Sequence, residues 1–93
     1  MKQIIRNSIQ CLLCDDHIGS WHVHDFRYCK CQSVAVDGGY EYLERIGNQS
    51  DYQETSILGD LQDACEKAKG MTFKEWRAEA KTETLRLAGV LPL

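Results

Sequence analysis

Up to about residue 46 the apolar positions fall in short runs broken by turn-forming residues; beyond about residue 54 they recur at helical spacing. Lys2 to Gln10 carries three isoleucines and runs into Cys11, which predicts a first strand. Asp15-Asp16-His17-Ile18-Gly19-Ser20 has turn chemistry. Trp21 to Phe26 has strand composition, and its alternation sets Trp21 and Val23 on one face with His22 and His24 on the other. Phe26-Arg27-Tyr28 continues into Cys29. Ser33 to Val36 predicts a third strand, closed by a hairpin-type turn at Asp37-Gly38-Gly39, and Tyr40 to Leu43 then pairs back as a fourth.

The C-terminal pattern differs. Ile57, Leu58, Leu61, Ala64, Cys65 and Ala68 form one apolar stripe with a helical period, and Gly70 suits the position just past its end. Thr72 and Glu75 have the spacing of a capping box, with Met71 and Trp76 as its hydrophobic staple. Phe73 to Ala88 is rich in good helix formers, Gly89 stops it, and Val90-Leu91-Pro92-Leu93 is an apolar, extended tail. The organisation expected is an antiparallel β unit at 1–46, a linker at 47–53 and a helical hairpin with tail at 54–93. Together they form one compact α+β domain.

Composition narrows the function classes. A chain of 93 residues is too short for a Rossmann fold, a kinase or a barrel, and 43% hydrophobic residues is too many for a disordered chain. No apolar run reaches the roughly 20 residues of a membrane span, and Met1-Lys2-Gln3-Ile4 does not open a secretory signal. A cytoplasmic protein with no membrane partner is therefore expected. The formal charge is −3, and neither half has the positive excess that draws a protein to phosphate.

Five cysteines are many for this length, and four of them cluster. Cys11-x2-Cys14 and Cys29-x-Cys31 lie 14 residues apart. In a chain expected to stay in a reducing compartment, clustered thiols read as metal ligands, and an odd total fits no closed disulfide framework. Two turns that each present a thiolate pair can enclose one tetrahedral Zn2+, and soft thiolate suits that ion. The predicted ligands are Cys11, Cys14, Cys29 and Cys31, with His24 in place of one sulfur as the alternative. A β unit this small needs such a metal to be stable. A closed four-ligand site is structural, so no enzyme is expected.

The remaining candidates have bland readings beside sharp ones. His22 and His24 with Asp25 suggest an open metal site of a small hydrolase or a pocket for a nucleotide signal, and otherwise a partly exposed β face. Trp21, Phe26 and Tyr28 suit packing around the metal lobe better than base stacking. Asp37-Gly38-Gly39 lacks the Lys, the Ser/Thr and the following helix of a phosphate loop. Cys65 reads as a small buried residue of its stripe.

The run from Ile9 to Arg45 resembles a family of small zinc-ribbon proteins of uncharacterised function found widely in bacteriophage genomes. The likeness rests on Cys11-x2-Cys14, His24-Asp25-Phe26, Cys29-x-Cys31, Val34-Ala35-Val36-Asp37-Gly38-Gly39 and Tyr42-Leu43-Glu44-Arg45. It departs where Asp15 and Gln32 stand in place of the glycines that follow the family's cysteine pairs, and it does not cover the helical part. The resemblance implies a phage-borne zinc ribbon acting in the bacterial host cytoplasm without catalysis, and it gives His24 and Asp25 weight as a surface or hydrogen-bonding pair. The function expected is a non-enzymatic protein that binds and modulates a host protein, in host takeover or anti-defence. The alternative is a nucleic-acid-binding ribbon using Arg6, Arg27 and Lys30, with nucleotide sequestration a lesser one. The helical hairpin also offers a homodimer surface.

Overall fold

The computed structural model describes residues 2–60 and 70–92. The described chain is mixed: small antiparallel sheets and one C-terminal helix. Its strands are β1 (Gln3–Arg6), β2 (Ser8–Cys11), β3 (His17–Gly19), β4 (Arg27–Tyr28), β5 (Ala35–Asp37), β6 (Glu44–Ile46), β7 (Tyr52–Glu54) and β8 (Ile57–Gly59). A 3-10 turn (Gln49–Asp51) precedes β7, and the helix is α1 (Phe73–Leu87). The sheets are ordered β3-β2-β7, β4-β5-β6 and β1-β8.

The first expected strand divides in two because Asn7 is fully buried and its side chain hydrogen-bonds away from any ladder. β1 then pairs with β8, and β2 becomes the centre of another sheet, with Ile9 opposite Ile18 on one side and Glu54 on the other. β5 is central in the third sheet, which explains why Ala35, Val36 and Asp37 are all buried. Ile9, Ile18, Val34 and Val36 form the core together with Cys11 and Cys29. Two of the four clustered thiols are thus core residues.

Several expectations differ from the structure. Residues 15–20 are not all turn, since His17–Gly19 pairs with Ser8–Gln10 as β3. Trp21 to Phe26 is not a strand: the Asp25 N–H donates to the His22 carbonyl at 3.0 Å, and His24 takes φ 67°. Trp21 is buried while His22, Val23 and His24 are all exposed, so the expected alternation is absent. The return strand after Asp37 is Glu44–Ile46 rather than Tyr40 to Leu43, because the N–H groups of Glu41 and Tyr42 both donate to Gly38 O and lengthen the turn. A helical hairpin is not shown, since α1 is the only α-helix among the described residues and most of the other expected helix lies outside them. Ile57 and Leu58 lie in β8, where the free edge of β1 takes them; the rest of that stripe, Leu61 to Ala68 with Cys65, lies outside the described residues. Residues 47–53, expected as a linker, hold the 3-10 turn and the start of β7.

The Asp37-Gly38-Gly39 turn is built as expected, with φ 105° at Gly38 and 53° at Gly39. Gly39 has a second constraint: a Cβ there would come within 2.2 Å of the His22 carbonyl carbon. Backbone cannot swing aside as a side chain can. Gly39→Ala is expected to cost about 3 kcal/mol, from a left-handed Ala plus overpacking, read as a lowered urea midpoint at unchanged slope.

α1 begins at the predicted capping box, where Thr72 Oγ1 accepts from the Glu75 N–H at 3.2 Å and Glu75 Oε1 accepts from the Thr72 N–H at 3.2 Å. It ends at Gly89, with Gly89 N–H to Arg86 O and Val90 N–H to Leu85 O, the paired bonds of a Schellman motif. The helix packs on β1 and β3 with its small residues Ala80 and Thr84 buried. Trp76 lies against Gly59 of β8, where a Cβ would meet its ring at 2.5 Å. Arg77 pins the contact: Nε donates to Ile4 O at 2.9 Å, and the guanidinium stands 4.4 Å over the Tyr40 ring.

Candidate metal centre

Each cysteine pair occupies the turn of a two-stranded hairpin. Cys11 is the last residue of β2, and Cys11–Cys14 precede β3, its antiparallel partner. Cys29 and Cys31 lie between β4 and β5, also antiparallel partners. Backbone bonds close each turn, from Cys11 N–H to Asp16 O at 2.8 Å and from Cys29 N–H to Val34 O at 3.1 Å. The shared core then brings the two hairpin ends together.

The four Sγ atoms of Cys11, Cys14, Cys29 and Cys31 lie within 4.8 Å of one another. Sγ of Cys31 is 3.6 Å from that of Cys11 and 3.5 Å from that of Cys29, so these thiols are not disulfide-bonded. A tetrahedron with metal–sulfur bonds of about 2.3 Å has edges of about 3.8 Å, which the separations approach. The cluster can therefore hold a metal ion. Cys11 and Cys29 are buried, Cys14 is half-buried and Cys31 is exposed, so the site opens to solvent at one corner.

The surroundings treat the thiols unequally. Burial pushes Cys11 up to about 12, against the pull of neighbouring backbone N–H groups, of which Leu13 N–H reaches its sulfur at 3.4 Å. The Ser33 hydroxyl, 3.0 Å from Cys31 Sγ, and the Ser33 backbone lower Cys31 to about 6. At neutral pH Cys31 is the ready thiolate, whereas Cys11 gives up its proton to solvent only when a bound cation displaces it, so metal uptake would release protons. Ser33 was not singled out from sequence. The available signal was a hydroxyl two residues past a candidate ligand.

Asp15 and Gln32 follow the two pairs at φ 61° and 62°. They adopt the left-handed conformation that the missing glycines would take most easily. Gln32→Gly is expected to stabilise the protein by about 1 kcal/mol and Gln32→Val to destabilise it, in chemical denaturation of the metal-loaded chain. Asp15→Gly should gain less, because Asp tolerates that region.

His24 is exposed and is not among the clustered ligands. Asp25 is nine-tenths buried and locks its turn: Oδ2 accepts the Trp21 N–H and Oδ1 accepts Arg27 Nε, both at 2.9 Å. His22 Nε2 stands 3.9 Å from Asp25 Oδ2. His22, His24 and Asp25 do not converge as metal ligands. Phe26 and Tyr28 meet edge to face at 5.2 Å and are both exposed. No described helix is long and apolar enough to cross a membrane.

A second constellation was not anticipated. Asn7 Nδ2 faces the carbonyls of Asp37 (3.1 Å), Gly39 (2.8 Å) and Tyr42 (3.1 Å), and its Oδ1 accepts Arg45 Nη1 at 2.8 Å. Arg45 also pairs with both carboxylate oxygens of Glu54, and Ser56 Oγ bonds Glu54 and the Ser8 backbone. Partial burial raises the Glu54 pKa, but the bonds from Arg45 and Ser56 outweigh it and hold the group below the usual carboxylate range.

Residues 3–47 match a family model, Domain of unknown function (DUF7695). That span holds all four clustered cysteines and strands β1 to β6. It stops before β7, β8 and α1, although Arg45 inside it is tied to Glu54 outside it. No curated protein and no solved structure matches the chain.

Proposed function

We propose that the chain is a non-catalytic interaction protein whose N-terminal lobe is a zinc ribbon, with one Zn2+ held by Cys11, Cys14, Cys29 and Cys31. The observation that carries this reading is the approach of four free sulfurs at the ends of two hairpins to near-tetrahedral separations. An all-thiolate set favours zinc, and four protein ligands leave no position for a substrate or a hydrolytic water. The metal's work in this reading is to hold the lobe together.

A protein partner suits the surface around that centre. Leu12 and Leu13, between the first pair of ligands, are 49% and 62% exposed, and Phe26 and Tyr28 stand exposed just before the second pair. Large apolar side chains on the rigid turns of a metal site make a presentable contact surface. From the phage resemblance, the partner we propose is a bacterial host protein in the cytoplasm, bound in host takeover or anti-defence. The nucleic-acid alternative has one cation fewer than expected: Arg6 points into the fold, with Nε on Thr55 O at 2.9 Å and Nη1 3.7 Å from Glu83.

The test joins elemental analysis to affinity capture from bacterial lysate. One equivalent of zinc is expected, with a partner retained by the natural chain and lost by Leu13→Asp at unchanged zinc content. Less than half an equivalent of zinc overturns the metal reading. A partner held equally by Leu13→Asp and by Leu12→Asp overturns the surface.

A further inference from the structure

Between β3, the start of β4 and the C-terminal half of α1 lies a cavity of about 420 Å3. That is within the range of small-molecule sites, and its lining reaches the cysteine cluster at Lys30, between Cys29 and Cys31. Its floor is aromatic. Trp21 is buried with its indole flat against Gly19, where a Cβ would come within 2.3 Å of the ring, so this glycine is what lets the ring clad the strand. Leu85 of α1 forms part of the opposite wall, and Tyr28 stands at the rim.

The rim is cationic in a chain whose net charge is −3. Arg27 and Lys30 both line the cavity. Asp25 accepts Arg27 Nε and fixes the side chain, while its two Nη groups make no hydrogen bond among the described residues. The Lys30 ammonium likewise has no ion pair among the described residues. Asp16 is the one acid of the lining, and one of its oxygens already accepts the Lys30 backbone N–H at 3.0 Å, which anchors that residue. Lys81, outside the lining, stands 5.7 Å over the Trp21 ring.

We propose that this cavity binds a small aromatic anion: a planar ring against Trp21 and Leu85, with a carboxylate or phosphate held by Arg27 and Lys30. Ring and charge are both needed, because an exposed cation pair holds a bare anion weakly, and the small exposed part of the Trp21 indole with Leu85 does the same for a neutral ring. Of the interaction surface proposed above only Tyr28 lines this cavity; Leu12, Leu13 and Phe26 do not.

The test titrates the metal-loaded full chain with two probes, adenosine monophosphate and indole-3-acetate, following the Trp21 indole and Leu85 methyl resonances by NMR. Adenosine and inorganic phosphate each supply half of the pattern. At least one probe should bind with Kd on the order of 0.1 to 1 mM, and both halves at least about tenfold more weakly. Arg27 also braces the Asp25 turn, so the exposed positions Lys30 and Val90 carry the mutational arm. Lys30→Gln and Val90→Glu should each weaken the probe about tenfold at unchanged zinc content. Silence of both probes at about 10 mM, adenosine binding as tightly as its monophosphate, or unchanged affinity in both variants overturns the proposal.

Discussion

Chelating the proposed zinc from the purified protein is expected to abolish the near-UV circular dichroism of the lobe and to release its β amides to fast hydrogen exchange. The lobe has little else to stand on. No strand exceeds four residues, β4 has two, and two of the six residues in the core cluster are cysteines of the proposed metal site. Structural zinc in mini-domains contributes on the order of 10 kcal/mol, which equals or exceeds the total stability of about 5 to 15 kcal/mol usual for a small domain. Removing single ligands should reproduce the effect in graded form. Cys29→Ala takes away a buried sulfur at 2% exposure and should leave little folded protein. Cys31→Ala removes the exposed corner, where water can enter as the fourth ligand, and should leave a folded lobe with weakened zinc affinity. A chelated protein whose near-UV spectrum stays native, with zinc verified as gone, sinks the account.

The clustering of the four cysteines was legible in the sequence because candidate ligands are recognised by residue type and spacing, both of which survive in one dimension. The same holds for the helix, whose capping box and terminal glycine are local signals read within a few residues of the chain. What was not legible is long-range. His17-Ile18-Gly19 has the composition of a turn, and only the facing β2 makes it a strand. Ile57 and Leu58 fit a helical stripe as well as a strand, and the open edge of β1 decides between them. Asp25 looked like a surface partner of His24, yet its carboxylate is spent on the Trp21 N–H and on Arg27, a role that needs the turn geometry to be known. Asn7 is the extreme case. A lone Asn in an isoleucine-rich segment reads as a solvent-facing strand position, but its partners lie 30 to 38 residues away.

Asn7→Ala is therefore the substitution expected to do most damage outside the metal ligands. Asn7 is fully buried, and its amide serves the carbonyls of Asp37, Gly39 and Tyr42 together. Leaving buried acceptors unmet costs about 1 to 3 kcal/mol each, and Arg45 Nη1 loses an acceptor as well. Screening by residual water brings the expected total to about 3 to 5 kcal/mol, read as the urea midpoint of zinc-saturated protein. Asn7→Asp should fare no better, because a carboxylate in the same place would oppose three carbonyl oxygens. Glu54→Gln is the contrasting variant: its side chain is 44% exposed, so breaking its pair with Arg45 should cost no more than about 1 kcal/mol. Arg45→Ala removes partners of both and should be non-additive with Asn7→Ala in a double-mutant cycle, since the two share one bond. The ordering matters more than the absolute values. If Asn7→Ala lies within about 0.5 kcal/mol of the natural protein, the clamp is not what holds the Asp37-Gly38-Gly39 turn against the first strands.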